Sequence, residues 1–158
     1  MFREMKRKNQ QLPPEECTSI LKAEPRGVLS LLGDHGYPYG VPMDHWYNDA
    51  DGCIYFHGGK RGHKIDAIRG CDKASFYVCD QGFRREGEWA LNIRSVIVFG
   101  RIRILEDQEE AIAITRQLCY KYTSDTAFIE NEIRQSGANV LVFRLEPEHI
   151  TGKLVNES

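Results

Sequence analysis

The sequence predicts a mainly β fold in which six antiparallel strands close into a small barrel flanked by helices. Three observations predict it. Short apolar runs alternate with Gly-, Asn- and Asp-rich turns, most of the connections have hairpin character, and helical periodicity is confined to a few brief segments. Hairpins imply antiparallel pairing, and alternation gives each strand one face toward a core. Six twisted strands then lose their edges by closing on themselves.

The elements follow in order. Residues 1–11 read as an exposed arm made basic by Arg3, Lys6, Arg7 and Lys8. Leu12-Pro13-Pro14 places prolines where a helix can begin, and Glu15 and Glu16 suit its first turn. Cys17, Ile20 and Leu21 give that helix one apolar face, and it should end near Pro25. Gly27–Leu32 reads as a buried strand, and Gly33–Gly36 as a hairpin turn. Tyr37–Tyr47 is the return strand. Its prolines at 38 and 42 cannot donate to a ladder, so the strand must be an edge, bulged, or set against something other than a strand, such as a planar ligand.

Asn48–Gly52 is a second tight turn, and Cys53–His57 a third strand. Lys73–Asp80 reads as the fourth strand, and Gln81–Asn92 as a long polar loop. Ile93–Glu106 alternates around Val96, Val98, Ile102 and Ile104 as a fifth, long strand. Asp107 starts a helix whose buried face is marked by Ala111, Ile114, Leu118 and Tyr122. Ser124 is placed to cap another helix through Ile133, ended by Gly137. Asn139–Leu145 is the last strand, with a polar tail from Glu146.

Composition bounds the functional class. A chain of 158 residues with 41% hydrophobic and 28% charged residues fits one folded domain over 1–158. A net charge of −2 provides no general field toward nucleic acid or anionic lipid. No apolar run approaches the roughly 18 residues of a membrane helix, and the first ten residues are too charged for a signal peptide. These features predict a cytoplasmic protein without a nucleic-acid or membrane partner. Five cysteines without C-x-x-C spacing predict reduced, packed thiols and no metal site.

The stretch that carries chemistry is Ile54–Ile68. A strand ends in His57, passes through Gly58, Gly59, Lys60, Arg61 and Gly62, and enters a helical segment at His63-Lys64. Glycines allow close backbone approach, a helix start adds partial positive charge, and the lysines and arginine add full charges. Together they suit a phosphate. The plainer reading is a solvated basic turn. His57 is read either as a satisfied structural histidine or as a proton or hydrogen-bond donor beside a bound ligand. His45 and Trp46 would wall a planar ligand or pack a dimer contact, and Trp89 would either cover a ligand or anchor its loop. No carboxylate pair or Ser/His/Asp arrangement suggests hydrolysis.

Tyr37–Met43, Ile54–Lys60, Gly62–Asp66 and Arg94–Arg101, taken in order and with their spacing, resemble the pyridoxamine 5′-phosphate oxidase-like flavoproteins. Within that family the chain is most similar to the nitroimidazole-resistance, or nitroimidazole reductase, branch, whose basic opening is echoed by Met5-Lys6-Arg7-Lys8. The resemblance implies a split β-barrel homodimer with flavin mononucleotide (FMN) in two sites at the subunit interface. By position it sets Val41, Pro42 and Met43 beside the isoalloxazine ring and Phe56 and His57 near the flavin. It places His63 and Lys64 at the phosphate and brings Ser95 to the cofactor from the long strand, with His57 as the candidate catalytic group; Lys60 beside them is either a further cofactor ligand or solvated. The tail at 146–153 lacks the tryptophan and arginine-x-histidine pattern of true pyridoxamine phosphate oxidases. The resemblance therefore implies an oxidoreductase that passes electrons from reduced flavin to a nitro-aromatic or similar small acceptor. A flavin carrier or redox sensor without turnover, and a haem-handling split barrel, are the alternatives.

Overall fold

Pro14, which has no N–H to leave unsatisfied, stands at the first turn of α1 (Pro14–Ala23). Cys17, Ile20 and Leu21 form the buried side of that helix. In the computed structural model, which describes residues 1–156, α1 lies against one sheet of seven strands. These are β1 (Arg26–Leu32), β2 (Pro38–Asp44), β3 (Trp46–Tyr47), β4 (Ile54–Gly59), β5 (Lys73–Cys79), β6 (Asn92–Ile104) and β7 (Val140–Asn156). Every pairing is antiparallel, and the order across the sheet is β2-β1-β5-β6-β7-β4-β3. The helices α2 (His63–Gly70), α3 (Gln108–Tyr120) and α4 (Thr126–Ser136) complete the chain.

The strand count is seven rather than six because the proline-bearing return strand breaks at His45. Its halves, β2 and β3, lie at opposite edges of the sheet, so one residue bridges the seam where the curled sheet meets itself. The break strips His45 of ladder partners, and Tyr122 supplies a replacement. Its hydroxyl accepts from the His45 N–H at 3.0 Å and donates to the Pro25 carbonyl. The His45 ring is fully buried, edge-on to Phe76, with Nε2 2.7 Å from the Leu21 carbonyl. Neither flavin contact nor dimer contact describes it: His45 fastens the seam internally.

Three further expectations are corrected. The tail from Glu146 is strand, not loose polar chain. Its backbone pairs with β6 from Phe143 to Asn156. A register shift opposite Phe99 and Gly100 accommodates Pro147, which has no N–H to give. Asp125, not Ser124, caps α4 by accepting from the Phe128 N–H at 3.0 Å. Tyr122 lies beyond the end of α3, whose buried residues are Ala111, Thr115 and Leu118.

The arm is exposed along most of its length but is attached at two places. The Phe2 ring stacks on His149 at 4.8 Å, and Gln11 bridges to Lys153. The barrel interior is filled from all sides by Phe56, Phe76, Phe143, Leu29, Val98 and their neighbours. Asp107 caps α3 as expected, its carboxylate accepting from the Glu110 N–H at 2.8 Å. Asp107→Ala should cost about 1 kcal/mol. A thermal melt should register this as a fall of about 2–4 °C.

Candidate functional site

Strand β4 delivers Phe56 to the core and leaves His57 and Gly58 half-buried at its end. The chain then turns through exposed Lys60 and Arg61 to Gly62, whose φ of +121° and ψ of 171° suit glycine. Gly62 is the N-cap of α2, and no side chain caps that helix start. Ile65 and Asp66 bond back to the Gly62 carbonyl, at 2.9 and 3.1 Å, which leaves the His63 and Lys64 N–H groups free to meet a ligand. Ile65 and Ile68 anchor the helix in the core, so the cationic turn is held at the barrel rim.

Lys64 is the unusual member. Its side chain turns inward rather than to water. Nζ lies 3.3 Å from the Met43 sulfur and 5.5 Å from the centre of the Phe143 ring. Among the described residues it has no carboxylate partner, and loss of water pushes its amine below the ordinary lysine value. A Cβ on Gly58 would sit 3.1 Å from Nζ, so glycine leaves the amine its room. A half-buried ammonium without a counter-ion beside an open helix N-terminus has the electrostatics of an anion receptor.

His57 belongs to the same corner. Burial pushes its imidazole below the ordinary value; Asp44 pulls it back, and Lys64 adds to the lowering. It is therefore neutral at pH 7, able to donate one hydrogen bond and accept another. His63 is turned away from this group. Its ring stacks on Tyr39 at 4.1 Å, and Nε2 is 3.4 Å from the Asp34 N–H in the β1–β2 turn. What His63 offers the corner is its backbone N–H. Lys60 and Arg61 are exposed, and neither enters an ion pair among the described residues.

On β2 the side chains alternate: Val41 and Met43 face inward while Pro42 faces out opposite Val28. Met43 thus meets Lys64, and Pro42 stands on the opposite surface. Ser95 is also on that outer surface, paired with Cys79 and Lys153. Through the β6–β5, β5–β1 and β1–β2 ladders it lies three strands from the Met43 end of β2, roughly 15 Å across the sheet. One chain brings Met43, His57, Gly58 and Lys64 together at the rim, with Ser95 on the outer face.

Sequence reasoning missed Phe143 and Tyr39, which orient Lys64 and His63. Both come from strands whose contacts depend on ladder register, and only the aromatic identity of each position could have pointed to them. The outer surface carries another unforeseen feature. Val28, Tyr77 and Ile97 are aligned across β1, β5 and β6, and with Leu32 and Phe99 they form an exposed apolar field. The loop from Gln81 presents Trp89 at 74% exposure, so Trp89 does not anchor it in the core.

A family model described as pyridoxamine 5′-phosphate oxidase matches residues 13–154. No curated protein matches the chain. Among solved structures, a candidate 5-nitroimidazole antibiotic resistance protein from Bacteroides thetaiotaomicron superposes with a TM-score of 0.78. It is 20% identical, over 92% of this chain and 87% of that one. An FAD-binding protein from Mesorhizobium loti gives 0.66 at 26% identity, over 92% and 97%. An FAD- and heme-binding protein from Mycobacterium smegmatis gives 0.74 at 19%, over 94% and 74%. With all but its first dozen and last few residues matched, the chain belongs to the pyridoxamine 5′-phosphate oxidase family and has a split-barrel fold.

Proposed function

We propose that this protein is an FMN-dependent oxidoreductase of the nitroimidazole reductase type. It would be a cytoplasmic homodimer that passes electrons to a small acceptor such as a nitro-aromatic compound. The observation that carries the proposal is Lys64, a desolvated amine with no carboxylate partner among the described residues, beside the uncapped start of α2. The free N–H groups of His63 and Lys64, with the charges of Lys60 and Arg61, add further donors for a phosphoryl group. Val41, Pro42 and Met43 would flank the ring, with Phe56 and His57 nearby. When bound, FMN supplies hydride uptake and return of one or two electrons. The chain's part is to hold the phosphate and to keep a neutral imidazole, His57, within reach of the reacting region.

One observation supports a dimer with shared sites. Ser95 stands on the outer face among exposed apolar residues. Burying Val28, Tyr77, Ile97 and Phe99 against a second copy would remove that field from water. Purified protein should be yellow, with absorbance near about 370 and 450 nm rather than the haem band near about 410 nm. Chromatography of the released flavin should identify FMN and not FAD, and light scattering should give twice the 18.2 kDa of one chain. Colourless protein that takes up no FMN when supplied in excess would overturn the proposal, and a monomer carrying flavin would overturn the shared site.

A further inference from the structure

Beyond the seam, α1, β3 and the end of α3 line an open cleft of about 520 Å³ that shares no residue with the Lys64 corner. Its size is that of a small-molecule pocket. Trp46, Tyr47 and Tyr120 give it aromatic surface, Gln117 an amide, and Lys22 and Lys121 two amines. At the rim Lys22 pairs with Asp49 at 2.6 Å, which leaves Lys121 as the charge without a bonded carboxylate.

The protons of Lys121 can be accounted for. Nζ donates to the Glu24 carbonyl at 2.7 Å and lies 3.4 Å from His45 Nε2. That ring nitrogen faces the Leu21 carbonyl at 2.7 Å, and a carbonyl only accepts, so Nε2 must carry the proton. His45 therefore cannot accept from Lys121. Two of the three ammonium protons have no acceptor among the described residues, and Lys121 lines the cleft. Tyr122, whose ring centre is 5.7 Å from Nζ, supplies only its π face on that side. A bound anion would accept them, and the walls beside it are flat rings.

We propose that this cleft is a binding site for a planar aromatic carboxylate, with its ring against Trp46 and Tyr120 and its carboxylate on the Lys121 ammonium. The site is independent of the flavin reading, and its occupant would lie directly behind the residue that joins β2 to β3.

The chain's two tryptophans make a direct test, because Trp89→Phe leaves Trp46 as the only indole. Benzoate added to that variant should change Trp46 emission saturably, and neutral benzamide should need about tenfold more ligand. Lys121→Met should abolish the preference for benzoate over benzamide. Tyr120→Ala, at an exposed position, should weaken both ligands. Lys64→Ala should leave the response intact, which separates this cleft from the flavin corner. No saturable change up to about 10 mM benzoate would overturn the proposal. So would an undiminished response in both the Lys121 and Tyr120 variants.

Discussion

Replacing Lys64 with alanine is expected to weaken FMN binding roughly 10- to 150-fold, the range for one lost hydrogen bond to a charged group. Riboflavin, which lacks the phosphate, should bind the variant almost as it binds the native protein. Titrating flavin-stripped protein with each compound and following flavin fluorescence gives both affinities. The contrast should also depend on salt: the native preference for FMN shrinks as ionic strength rises, whereas the variant has little preference left to lose. Fold damage is not the expected cause. The Lys64 amine is held against Met43 and Phe143 with no carboxylate, so its removal relieves a desolvated charge instead of stranding a partner. Equal losses for FMN and riboflavin would mean that the corner does not hold phosphate.

Acidification from pH 7 to pH 4 should cost about 3 kcal/mol through His45 alone. Burial, with the nearby Lys121 charge, pushes this imidazole down to about 4, although the Leu21 carbonyl and Asp44 pull the other way. Protonation would place a second N–H at Nδ1, which is buried without a partner. Because the folded value lies below the unfolded one near 6.5, the unfolded chain takes up the proton first. The stability is therefore complete above about pH 6.5, is lost as pH falls through that value, and levels off below about pH 4. Denaturant unfolding at a series of pH values should show this slope, and His45→Gln should flatten it. His57, also lowered by burial, contributes in the same window, so the informative quantity is the difference between native protein and variant. Parallel profiles would remove His45 from the account.

Most of the fold was legible because local chemistry and tertiary structure agree. Pro14, Asp107 and the alternation of Val96, Val98 and Ile102 each decide their element from neighbours in sequence, and the corner around Gly58 and Gly62 announces itself by composition. What escaped depended on distant partners. The polar tail becomes strand only because β6 supplies a ladder along its whole length, and nothing within Glu146–Lys153 reveals that ladder. His45 looks like a surface residue on an aromatic strand until Leu21, Phe76 and Tyr122 close around it from three other segments. The inward turn of Lys64 likewise depends on Met43 and Phe143, which are far from it in sequence. Residue types located the corner, and packing determined which of its charges are withdrawn from water.

The sheet ends in two very different borders. One, β2, carries prolines at 38 and 42; the other, β3, is only two residues long. Neither offers a run of unpaired amides on which a foreign strand could template itself, so both are poor starting points for fibrous growth. In the homodimer proposed above, contact would fall on the broad apolar flank instead of the rims and stop at two copies.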